Sequence, residues 1–206
     1  MLQHGALLER LLAGSFICQI TDEDGFRHLS NEQTQQDINH YLRPLNRRLV
    51  CNDDNSVYFL AYHELNKTAR EHLSSQFTLT AQSLLPLLEW LQLVQETLGR
   101  DSALTAGDTI KLQEFVLRTE DNQSLRQRLN QLAADRFFNS QSDALDNQVK
   151  LIFRRLKEHG YLLQPHTDRQ YYIVTGKIDH LIDVIRFIRD EEHLPVEDTP
   201  MQDELI

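Results

Sequence analysis

Tyr41-Leu-Arg-Pro-Leu-Asn-Arg-Arg-Leu-Val-Cys51 runs through polar Asn52-Asp-Asp-Asn-Ser56 into Val57-Tyr-Phe-Leu-Ala-Tyr62. A second stretch repeats the pattern. Ile152-Phe-Arg-Arg-Leu-Lys-Glu-His-Gly-Tyr-Leu-Leu163 leads through Gln164-Pro-His-Thr-Asp-Arg169 into Gln170-Tyr-Tyr-Ile-Val174. Each copy reads as an amphipathic helix, a short apolar strand, a polar turn and an aromatic strand. The copies align without a gap, Leu49 on Leu162 and Tyr58 on Tyr171. A helix feeding a two-stranded hairpin is the end of a winged-helix domain. The repeat therefore predicts a mainly α fold with small β-hairpins, built as tandem winged-helix domains. Such a tandem is a binding module rather than an enzyme.

Upstream of the first hairpin, Leu2, Leu7, Leu8, Leu11 and Leu12 recur at helical spacing, and Gly14 stops that helix. Ser15-Phe-Ile-Cys-Gln-Ile20 reads as a strand and Asp22-Glu-Asp-Gly25 as a turn. Ser30 with Gln33 has the spacing of a capping box opening the next helix, which Pro44 must kink or restart. A first winged-helix domain thus spans 1–62. A helical linker region over 63–106 holds a polar segment, His63 to Ser75, and a leucine-rich one that Thr80 caps and Gly99 ends.

A second winged-helix domain with a C-terminal helix spans 107–190. Ile110, Leu112, Phe115, Val116 and Leu117 form its first helix, and Ser124 opens the second. Ser142 or Asp143 caps the third, Gly160 ends it, and Gly176 leads into the last. An acidic tail covers 191–206.

The 206 residues carry a formal net charge of −10, with 40% hydrophobic side chains and few glycines or prolines. That composition supports a buried core and argues against disorder. An autonomous nucleic-acid binder shows a basic footprint, because affinity comes largely from neutralising phosphates; the chain as a whole does not. Cys18 and Cys51 stand far apart and read as reduced, buried thiols. No stretch approaches a membrane span, and charged Glu9 and Arg10 inside the first apolar run argue against a signal peptide. The expected compartment is the cytoplasm.

The chain shows no phosphate-binding glycine loop. His63-Glu64 begins like a zinc-protease helix, but Lys67 stands where the second histidine belongs. Asp53-Asp54-Asn55 begins like a calcium loop, yet Tyr58 occupies the glycine position. No catalytic residue, metal ligand or cofactor is expected. Arg43, Arg47 and Arg48 gather at the end of the first unit's last helix, and Arg154, Arg155 and Lys157 do the same in the second. Read as recognition helices, these ends would touch DNA backbone. Read as cations near a helix C-terminus, they complement the dipole and keep the face soluble. Trp90, with Leu87 and Leu91, is either a packing anchor or the anchor of a partner-binding groove.

Phe16-Ile-Cys18, Tyr41 to Leu49, Val57-Tyr-Phe-Leu60, Phe153 to Tyr161 and Tyr171-Tyr-Ile-Val174 together resemble the kite subunits of SMC complexes, nearest to MukE and its MksE relatives. The resemblance covers roughly residues 1–190. These motifs are architectural, and the family has no short active-site signature, so no binding residue is carried over. The resemblance implies a homodimer that binds the linker of a kleisin subunit. Through that kleisin it would join an SMC ATPase acting on chromosomal or plasmid DNA. It implies nucleoid association, DNA contact that is weak or confined to the complex, and ATP hydrolysis on another chain. The alternative is a tandem winged-helix regulator or replication initiator, which the acidic balance disfavours.

Overall fold

The computed structural model describes residues 5–192. The first unit opens with helix α1 (Gly5–Leu12), strand β1 (Ile17–Cys18), helix α2 (Glu23–Leu29) and helix α3 (Glu32–Leu42). A 3-10 turn (Arg43–Leu45) then leads into strands β2 (Arg47–Cys51) and β3 (Val57–Tyr62). Asp22 to Gly25 is not a turn: Asp22 caps α2, its carboxylate accepting from the Gly25 amide at 2.9 Å. Ser30 does not open α3. Its backbone is helical and its hydroxyl donates back to Phe26 O, whereas extended Asn31 accepts from Thr34 N at 3.1 Å. Asn46, with φ of 53°, ends the 3-10 turn, so Arg47 and Arg48 lie in a strand and not on the helix that the sequence suggests.

The middle of the chain is one helix, α4 (Lys67–Leu98). Asn66 caps it and Gly99, with φ of 62°, closes it. Thr80 starts nothing. The serines and threonines that resemble a second start signal turn their hydroxyls onto the preceding turn, Ser75 to Glu71 O and Thr78 to Ser74 O.

The second unit contains strand β4 (Thr109–Lys111), helices α5 (Leu112–Glu120), α6 (Gln123–Ala134) and α7 (Leu145–Glu158), strands β5 (Leu162–Leu163) and β6 (Tyr171–Val174), and helix α8 (Gly176–Glu192). Ile110 belongs to β4, not to the first helix, and Asn122 caps α6 in place of Ser124. The last helix runs past residue 190, and the rest of the acidic tail, 193–206, lies outside the described residues.

Two three-stranded antiparallel sheets result, ordered β1-β3-β2 and β4-β6-β5. The strand that precedes the helices always lies beside the last strand of its hairpin. The hairpins are not gapless copies. Leu49 faces Leu60, but Leu162 faces Val174, one residue beyond Leu60's counterpart Ile173. A shift of one residue moves a strand's side chains to the other face. Tyr58 is buried in the first core, and on the second hairpin's last strand Tyr172 is buried, not the aligned Tyr171.

The first core gathers Leu8, Leu11, Ile17, Leu29, Ile38, Leu42 and Tyr58. The second is larger and recruits Leu87, Trp90, Leu93 and Val94 from the C-terminal half of α4, a helix that the sequence reading assigns to a linker region. Phe153 sits at its centre, with Phe115, Tyr172 and Trp90 rings at 5.5, 5.1 and 6.4 Å. Arg128 ties α6 to α4, reaching Glu89 at 2.8 Å and also Glu96.

Candidate interaction surfaces

The basic residues fall into two separate settings. On α7, Arg154 and Arg155 share Glu158, at 3.7 and 3.3 Å, and Lys150 pairs with Asp146 at 2.5 Å. Lys157 donates to Gln164 at 3.1 Å. The cations of this helix therefore already have local partners, and a phosphate would have to compete with them. The side chains remain largely exposed, so each pair contributes little to stability. In the first unit the Arg47 guanidinium lies 3.6 Å over the Tyr62 ring and donates to its hydroxyl at 3.0 Å, and that hydroxyl meets His72 Nδ1 at 3.1 Å. Arg43 and Arg48 are exposed beside it.

The hydrophobic candidates separate as well. Trp90 and Leu87 are fully buried, 0% exposed, and Leu91 is partly buried against the same core. Trp90 is a packing residue of the second unit, and a partner could reach it only by opening that core. The reason is positional: α4 packs on α5 and α6, and the Trp90 ring meets Phe153 of α7.

An open apolar groove of about 810 Å³ runs beside β4 and α5. Its lining includes Thr109, Lys111, Leu117, Arg118, Gln170 and Tyr171. β4 is an edge strand, and Leu117 is more than half exposed. The one-residue shift that buries Tyr172 is what turns Tyr171 out into this groove.

The two units meet at a small joint. Gly176, the first residue of α8, donates its amide to Cys18 Sγ at 3.3 Å. A methyl group on Gly176 would sit 2.9 Å from Cys18 Cβ and 3.3 Å from Val57 Cβ. Around this contact Phe16, Phe59 and His180 form a ring cluster with centroids 4.5 to 5.2 Å apart. Lys177 lies over Phe16 and Tyr161 and donates to His159 O. Burial pushes the Lys177 and His180 pKa values down and drives Tyr161 up to about 12. Asn52 reaches Asp183 at 3.3 Å. The same Asn52 closes the first hairpin's turn by accepting from Ser56 N and Val57 N. The Asp53-Asp54 tip is thus a hairpin turn. The joint was illegible in the sequence, because its contacts join residues from opposite ends of the chain.

Among the described residues no cluster of histidine, cysteine or carboxylate side chains could hold a metal ion. Both cysteines are free thiols, Cys18 buried and Cys51 half-buried, where burial raises its pKa. No described helix is long and apolar enough to cross a membrane.

Comparison with known proteins points to one assembly. No curated protein is similar enough to the chain to count as a match. The family model of the condensin complex protein MksE matches residues 3–186, nearly all of the described chain, and the chain therefore belongs to the MksE family of condensin complex subunits.

Proposed function

We propose that the chain is a non-catalytic subunit that pairs with a second copy of itself and holds a linker segment of a kleisin, and through it works with an SMC ATPase. The observation that carries this reading is the family match over residues 3–186. The repeated strand order supports reading each unit as a winged helix. The kleisin segment is assigned to the groove beside β4. There the free edge of the strand can accept an extended peptide, and Leu117 and Tyr171 offer apolar contact. ATP hydrolysis rests with the SMC partner.

DNA contact by the isolated chain is weak. The net charge is −10, and on α7 Arg154 and Arg155 share Glu158 while Lys150 pairs with Asp146. Arg43, Arg47, Arg48, Arg154, Arg155 and Lys157 then touch DNA backbone chiefly within the assembled complex. The assembly acts in the cytoplasm at the nucleoid, in chromosome organisation and segregation or in defence against plasmids.

Co-expression with the kleisin of the same complex, followed by size-exclusion chromatography, tests the reading. The two chains should co-elute, and Leu117→Asp should reduce the bound fraction severalfold without changing the far-UV circular dichroism. Failure of the wild-type chain to co-elute overturns the kleisin reading. Co-elution untouched by Leu117→Asp moves the site off this groove. Tight, sequence-specific DNA binding at physiological salt would instead make the chain a regulator.

A further inference from the structure

Helix α4 is supported unevenly along its length. Asn66 caps its first turn, Ala69 is buried, and Arg70 Nε donates to Leu65 O at 2.9 Å. The C-terminal half is packed, with Leu87, Trp90, Leu93 and Val94 in the second core. Between these anchors residues 70–79 are exposed around the whole circumference of the helix, and Ala81 and Gln82 are exposed as well. Phe77 is 59% exposed and Leu79 66%. Ser75 and Thr78 donate their hydroxyls to carbonyls of their own helix, bonds that tie the segment to no other element.

The sequence of these turns does little to hold them helical. Ser74, Ser75, Phe77, Thr78 and Thr80 come from the lower half of the helix-propensity scale. From Leu73 to Leu88 there is no charged side chain, so no ion pair between successive turns supports the helix there. A helical stretch of about 12 residues without tertiary support is marginal in water. Opening it need not move either unit. Ten residues span about 15 Å as a helix and roughly 17 Å as a flexible coil, so both ends can stay in place while the middle melts.

We propose that residues 73–82 of α4 are a melting hinge between the two units. In the folded chain they open to coil on the timescale of amide hydrogen exchange, while both cores stay closed. The arrangement of the units is then set by the joint and not by α4. At the joint Gly176 donates to Cys18, Lys177 and His180 lie against Phe16, His180 also meets Phe59, and Asn52 reaches Asp183. With the joint closed, the opened segment is slack and strains neither unit. With the joint open, it is the tether on which the first unit swings. The units can therefore reorient without unfolding, because the covalent link yields and the non-covalent clasp decides.

Hydrogen exchange of the wild-type chain tests the hinge. Relative to their intrinsic rates, the amides of residues 75–82 should exchange about 100-fold faster, or more, than those of residues 90–97 in the same helix. Ser74→Ala, Ser75→Ala, Thr78→Ala and Thr80→Ala together should slow the hinge amides by about tenfold, alanine being the best helix former. Replacing residues 74–80 with seven alternating glycines and serines removes the helix there altogether. Small-angle scattering should then give the radius of gyration of the wild-type chain, because the joint keeps the units in place. Protection that is uniform from one end of α4 to the other overturns the hinge. A glycine-serine variant that expands overturns the role of the joint and makes α4 the spacer between the units.

Discussion

The two units have the same strand order and different means of support. The second is a core held between a sheet and several helices, and it reaches outside its own repeat to take in half of α4. The first has a small core under one sheet, and the remaining face of that sheet leans on α8 through Gly176, Lys177 and His180. Each repeat thus draws on elements outside its own pattern, the second on α4 and the first on α8. A repeated sequence pattern sets strand order, and what lies against each copy sets its stability.

The sharpest way to break this comparison is to empty the centre of the stronger unit. Trp90→Ala should cost about 3–5 kcal/mol in urea denaturation, the usual range for deleting a buried aromatic side chain. The lost signal should be that of the second unit. Trp90→Phe should cost much less, because Trp90 Nε1 has no hydrogen-bond partner to lose. A Trp90→Ala protein of wild-type stability would place the core elsewhere.

The next test attacks the dependence of the first unit. Gly176→Ala drives a methyl group against Cys18 and Val57 and should cost about 1–3 kcal/mol, as overpacking does. Calorimetry should show the first unit of the variant melting earlier than the second. Gly5→Ala, which meets open space, is the control and should melt as wild type does. A Gly176→Ala protein with one unsplit transition would show that the first unit needs no neighbour.

The smallest effect is on pH. Burial lowers the His180 pKa below its ordinary 6.5, Lys177 lowers it further, and Asp183 opposes them. The folded chain then binds its proton less readily than the unfolded chain does. Stability is unaffected above about pH 6.5 and falls as pH drops below it, down to the depressed folded value. Melting temperatures from pH 7 to 5 should decline more gently in His180→Phe than in wild type, and the difference should belong to the first unit. Equal slopes would mean that His180 does not govern the joint.

The hairpins, the helix ends at Gly99 and Gly160 and the mainly helical character were legible in the sequence, because apolar spacing and left-handed glycines are local signals. Capping was less so. Ser30 and Thr80 carry the chemistry of a cap, and only backbone conformation reveals that Asn31 and Asn66 do the work. The shift that exchanges Tyr171 for Tyr172 hides in a polar turn, where one extra residue leaves the alternation on either side intact. Of the candidate site, the basic residues could be named but not the sharing of Glu158 by Arg154 and Arg155, which depends on side-chain placement along α7. Trp90 could be singled out but not placed, since its burial depends on α5, α6 and α7 together.

The joint also bears on how the chain is made. The Gly176 amide and Cys18 Sγ lie 158 positions apart. During synthesis the first unit leaves the ribosome long before α8 exists, and domains generally fold in the order in which they emerge. Until the last helix arrives, Phe16, Val57 and Phe59 face water beside the open end of a nascent sheet. That interval is when the chain is most prone to aggregate or to meet a chaperone.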